Sequence, residues 1–184
     1  LHLEVVMGSR ASGIHTPESD YDIRGIYTPP KVMILPATQG LLMGFDDIPE
    51  CHHWHSGKEK IIDSAKRELE FDLHNICKFF RLASQANPNQ VDLLFARETQ
   101  ISHCSAVGRM IVDARYLFLS QLCWKRYRGY AADQMRGLIR MTRTGKRAEL
   151  VEKHSYDTKF ASHAFRLLLE CDQIMFEGNL DLMR

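Results

Sequence analysis

The sequence predicts an α+β fold, a small mixed sheet with flanking helices followed by a C-terminal helical region. Three observations predict it. His2 to Met7 and Asp20 to Tyr27 alternate in polarity and are separated by a turn-rich stretch. Lys66 to Leu73 sets Leu69, Phe71 and Leu73 against Glu68, Glu70 and Asp72. From about residue 105 the alternation gives way to helical spacing. The expected division is therefore an α/β part over residues 1–100 and a helical region over 101–184.

The first strand ends at Gly8-Ser9, which reads as a tight turn, and Arg10 to Ile14 suits a short helix. Pro29-Pro30 closes the second strand, because proline donates nothing to a ladder. Residues 31–62 show no sustained period and read as a long excursion. The third strand leads into a helix over His74 to Ala86 that ends at Asn87-Pro88, followed by a short apolar stretch from Val91 to Ala96. Further helices are expected over Val107 to Cys123, over Trp124 to Met141 as its continuation or as a separate helix, and over Ser155 to Phe176, with a break near Thr142–Gly145. Gly178-Asn179 supplies a C-cap.

A chain of 184 residues buries a real core without staples, and 45% apolar with 26% charged residues places it among soluble globular proteins. Five cysteines without a CxxC pair suit a reducing, cytoplasmic compartment. Cys77 and Cys171, inside apolar helical patterns, read as small hydrophobes. Neither a signal peptide nor an apolar run of membrane-spanning length is present, so no membrane partner is expected. The chain opens at Leu1 inside a strand-like stretch, and residues preceding it are expected.

The chemistry concentrates in Gly8-Ser9 and, ten residues further on, Asp20-Tyr21-Asp22. A Gly-Ser turn opening a helix offers backbone N–H groups and a dipole end suited to a triphosphate. Strand side chains alternate, so Asp20 and Asp22 project from one face and form a hard, oxygen-rich site for Mg²⁺ or Mn²⁺. In two-metal phosphoryl transfer the ions sit ~3.5–4 Å apart and clamp the entering and leaving oxygens. A third carboxylate comes from the third strand, where Glu70 is favoured and Glu68 and Asp72 share its face.

These residues resemble the DNA polymerase beta nucleotidyltransferase superfamily. Lys78-Phe79-Phe80-Arg81-Leu82, Asn87-Pro88 and the later Lys159, His163, Arg166-Leu167 resemble a narrower group, the predicted nucleotidyltransferases of RNA repair pathways. The stretch at Asp92-Leu93-Leu94 departs from that group, which has an acid often accompanied by tryptophan there. The resemblance spans Val5 to Leu180 apart from residues 31–62. It implies a nucleotidyltransferase core, an NTP donor and Mg²⁺. Gly8 and Ser9 would hold the triphosphate, and Asp20, Asp22 and Glu70 the metals.

Lys159, His163 and Arg166 share one helical face over an apolar underside of Phe160, Ala164, Leu167, Leu168 and Cys171, and so join the nucleotide-binding set. Ser19, beside the acidic pair, is placed in the same set, with capping of the turn as its alternative. Arg24 either supports the acids or pairs with one of them, His74 is a further supporting candidate, and Tyr156 and Gln134 are candidates for the cleft lining. Residues 125–147 carry eight Lys or Arg against Asp133 alone, interleaved with Tyr127 and Tyr130, which suits an RNA backbone with stacked bases. Cys51-His52-His53-Trp54-His55 reads as an irregular loop, since adjacent ligands cannot all face one zinc ion.

The expected reaction joins an NMP from an NTP to an acceptor hydroxyl, with an RNA end favoured, and releases pyrophosphate. The acceptor proton passes to Glu70 or to a metal-bound hydroxide. The rivals are transfer to a protein or small-molecule hydroxyl, and a nucleotide- or RNA-binding module without activity.

Overall fold

The computed structural model describes residues 1–17, 19–29, 53–56, 61–140 and 151–183. Its strands are β1 (Leu3–Val6), β2 (Tyr21–Tyr27), β3 (His53–His55), β4 (Ile61–Ile62), β5 (Glu68–Asn75) and β6 (Ile101–Cys104). They form one mixed sheet in the order β3-β5-β2-β1-β6, with β4 also paired to β5. Alternation on β1 is clean: Leu3 and Val5 are fully buried, Glu4 and Val6 only partly. β1 is antiparallel to β2 and β6, whereas β2 and β5 run parallel with Asp22 beside Glu70.

A parallel pair needs a crossover, and this one occupies the excursion expected over 31–62. Two short strands interrupt that excursion, β3 against Asp72–His74 and β4 against Glu68–Leu69. Pieces of two or three residues show no period of their own. They form because the outer edge of β5 offers unpaired N–H and C=O groups. Trp54 on β3 adds an edge contact to Phe71, 5.6 Å between ring centroids. The cysteine-histidine run is thus a strand over His53–His55, while Cys51 and His52 lie outside the described residues.

The helices are α1 (Gly8–Ala11), α2 (Ile76–Ser84), α3 (Pro88–Leu94), α4 (Ala106–Asp113), α5 (Leu122–Arg140) and α6 (Thr158–Glu177). Asn75 caps α2 by accepting from the Lys78 N–H at 2.7 Å. Asn87-Pro88, expected to end that helix, instead starts the next one. Asn87 accepts from the Asn89 N–H and Pro88 fills the first turn, where its missing donor costs nothing. Asp157 caps α6 through Lys159 and Phe160, and Gly178 closes it at φ 62°, as the C-cap signal predicts.

The helix expected over Val107 to Cys123 is broken. α4 stops at Asp113, Arg115–Phe118 form a 3₁₀ turn, and α5 starts at Leu122. The tighter turn aims Phe118 at Phe79 and Phe80, with centroids 6.3 and 6.0 Å away. The break expected near Thr142–Gly145 lies outside the described residues.

One buried cluster joins Leu3, Val5 and Met7 of the sheet side to Phe79, Val91, Leu94, Tyr127 and Leu167 of the helices. α5 and α6 pack together, and Cys123, Tyr127 and Ala131 repeat every four residues along the buried face of α5. Tyr127 is therefore fully buried and offers no stacking surface to a base. Tyr130, partly buried, is tied by its hydroxyl to Asn87 Nδ2 at 2.9 Å. On α6 Ala164, Leu167 and Cys171 are buried as expected, but Leu168 is 42% exposed. Cys77 is also exposed, not one of the buried small hydrophobes. Among the described residues no helix is long and apolar enough to cross a membrane.

Candidate active site

The acidic centre follows from strand register. Asp20 immediately precedes β2, Asp22 lies on it, and the parallel pairing sets Glu70 of β5 directly alongside Asp22. One carboxylate oxygen from each of the three lies within 4.8 Å of the others. Of the acids on β5 only Glu70 joins this group. Asp72 faces Arg24 at 4.0 Å and His74 at 3.7 Å instead.

Electrostatics mark the cluster as strained without a cation. Burial pushes the Asp22 carboxyl above its ordinary range, and repulsion from Asp20 and Glu70 pushes it further; Arg24 and Lys159 pull the other way. Three carboxylates at this separation fit the donor set of a hard divalent cation, which would remove the repulsion if bound.

The loop carrying Asp20 is held by a residue the sequence did not single out. Arg10 donates to the Ser19 carbonyl at 2.7 Å and to the Asp20 carbonyl at 3.2 Å. Its guanidinium also stacks 3.7 Å above the Tyr21 ring. Ser19 closes the turn: its hydroxyl accepts from the Thr16 N–H at 3.0 Å, and it does not line the cleft. His55 was missed as well, and β3 brings its Nε2 to 3.3 Å from Glu70 Oε1.

Gly8 sits at φ +66°, and a Cβ there would overlap Asp22 Oδ2. Only glycine therefore lets the turn close on the acid. α1 begins at that glycine and has four residues, so the dipole expected from a longer helix is small. The first-turn N–H groups of α1 still lack intrahelical partners.

Gly8, Ser9, Asp20, Asp22 and Glu70 form one wall of a cleft of about 720 Å³. The other wall comes from α6 and presents Lys159, His163 and Arg166, so the helix-face reading of these three holds in space. The cleft is anionic on the sheet side and basic on the helix side. Asn89 and Ser162 also line it, whereas Tyr156 and Gln134 do not. Behind the basic wall lie two buried acids, Asp92 and Glu170, that sequence reasoning left unassigned. The available signal was Glu170 four residues after Arg166 on one helix.

A mixed sheet that gathers three acids, on and just before two adjacent parallel strands, against a Gly-Ser turn has the construction of the DNA polymerase beta-type nucleotidyltransferases. The chain belongs to the RNA repair pathway DNA polymerase beta family, whose model matches residues 1–183. No curated protein and no solved structure matches it significantly.

Proposed function

We propose that this protein transfers a nucleoside monophosphate from an NTP to an acceptor hydroxyl, an RNA end, with release of pyrophosphate. The observation that carries the proposal is the convergence of Asp20, Asp22 and Glu70 within 4.8 Å, facing a basic wall across the cleft. Mg²⁺ or Mn²⁺ held by these three acids would neutralise phosphate charge and acidify the attacking hydroxyl.

The chain's own groups divide the remaining work. The N–H groups of Gly8 and Ser9 take phosphate oxygens beside the Asp22 carboxylate, against which Gly8 closes the turn. Lys159, exposed at the start of α6, supplies a mobile positive charge from the opposite wall, with Arg166 as the fixed one behind it. Glu70, exposed at the cleft edge beside His55, takes the acceptor proton.

Two observations support an RNA acceptor: membership of an RNA repair family, and Lys125, Arg126 and Arg128 on the exposed side of α5. The basic residues Arg143, Lys146 and Arg147 lie outside the described residues. Incubation with each α-labelled NTP, Mg²⁺ and either RNA or protein fractions tests the proposal. Label should appear in RNA, fade as salt rises, and be absent with Asp20→Ala/Asp22→Ala protein. Transfer by that double variant, or transfer to protein alone, refutes the proposal.

A further inference from the structure

The basic wall of the cleft rests on a buried charge cluster that the catalytic proposal does not use. Asp92 on α3 is 1% exposed and Glu170 on α6 is 0% exposed. Both lie against one guanidinium: Arg166 Nη1 is 3.7 Å from Asp92 Oδ2, and its Nε is 3.6 Å from Glu170 Oε1. From α5, the Tyr127 hydroxyl donates to Asp92 Oδ1 at 3.0 Å. Burial, followed by the two acids, pushes the Tyr127 phenol further from ionisation, so it stays a donor. Burying two carboxylates is costly unless cations and donors surround them, and three helices converge here to supply both.

Held in this way, Arg166 keeps a further N–H for the cleft side. Its Nη2 lies 3.0 Å from His163 Nδ1. A guanidinium has no acceptor, so the imidazole nitrogen must accept. The ring proton is then confined to Nε2, which has no hydrogen-bond partner among the described residues. His163 lines the cleft and is partly buried. Burial, then Arg166 and Arg24, push its pKa down to about 4, so the ring is neutral at physiological pH.

We propose that Asp92 and Glu170 are positioning residues: they fix Arg166, Arg166 fixes the tautomer of His163, and His163 presents an uncharged Nε2–H to the triphosphate. The proposal rests on reading the cleft as an NTP site, and it shifts Arg166 from phosphate contact to support. A neutral donor suits this position. It binds phosphate oxygen without adding a further positive charge, beside Lys159 and Arg166, in competition with a cation held by the acids opposite. The guanidinium fork explains why arginine stands at 166, since lysine could not reach two carboxylates and an imidazole in fixed directions.

Long-range ¹H–¹⁵N NMR of histidine-labelled protein tests this in two stages. In the free protein, His163 should be neutral and Nε2-protonated at pH 7. Glu170→Gln, Asp92→Asn and Arg166→Lys should each release a tautomer mixture, which a merely structural role for the acids would not produce. If one variant fails to fold, the other two and the wild-type tautomer still decide the matter. With Mg²⁺ and a non-hydrolysable α,β-methylene NTP, the Nε2 resonance should move. His163→Gln, whose amide reaches the Nε2 position, should bind that nucleotide about tenfold more tightly than His163→Asn, roughly one hydrogen bond. An imidazolium at pH 7, an Nδ1–H tautomer, a tautomer indifferent to all three variants, or nucleotide binding that leaves Nε2 unmoved overturns the inference. A locked tautomer in a protein that binds no nucleotide upholds the lock and overturns the NTP reading.

Discussion

Gly8 and Asp22 occupy adjoining space so closely that a Cβ on residue 8 would coincide with the Asp22 carboxylate. The turn and the acid are thus one device, assembled when β1 and β2 pair and the Met7 N–H donates to the Asp22 carbonyl at 2.7 Å. Gly8→Ala should therefore fail twice. The left-handed backbone should cost about 1–3 kcal/mol of stability, and the displaced carboxylate should abolish nucleotidyl transfer. Denaturant unfolding and label transfer check the two halves separately.

Asp22→Asn should have opposite effects with and without metal. The folded protein holds the Asp22 carboxyl above its ordinary pKa, so its charge costs stability at neutral pH. Removing that charge should raise the melting temperature in metal-free buffer. Wild-type protein at a hundredfold excess of Mg²⁺ over Kd should gain about 2.7 kcal/mol, and the variant should lose most of that gain. Thermal melts with and without Mg²⁺ measure both signs.

His163 gives a pH signature. Burial, then Arg166 and Arg24, push its pKa in the folded protein down to about 4, below the ordinary 6.5 of a solvated imidazole. Between those values the unfolded chain holds a proton that the folded protein does not. Stability should then fall as pH drops through this window, by up to about 1.4 kcal/mol per pH unit. Urea unfolding from pH 4 to 7 should show the slope in wild type and a flatter line in His163→Gln.

Tyr127→Phe removes the donor to Asp92 Oδ1 while leaving the ring in place. Weakening the solvation of a buried carboxylate should cost about 1–3 kcal/mol. The midpoint of urea unfolding should fall with an unchanged m-value.

How much of this was legible in the sequence depends on whether the signal was local. β1, β2 and β5 announce themselves by alternation, and register alone then sets Glu70 beside Asp22. β6 sets Ser102 and His103 between Ile101 and Cys104, so its sequence does not alternate, and its pairing with β1 includes a register shift between Glu4 and Val5. Nothing local marks it as a strand. The four-residue repeat Cys123, Tyr127, Ala131 was there to be read, but the surrounding cations drew attention to the wrong face of α5. Asp92 and Glu170 could not be placed at all. Acids inside helices read as solvent-facing, and only the meeting of α3, α5 and α6 buries them around Arg166.

Diffraction from crystals soaked in Mn²⁺, recorded at the manganese edge, tests the central claim most directly. An anomalous peak ligated by Asp20, Asp22 and Glu70 together is the predicted result. A peak elsewhere, or one that Asp20 and Asp22 hold without Glu70, would contradict the convergence of acids on which the proposed chemistry stands.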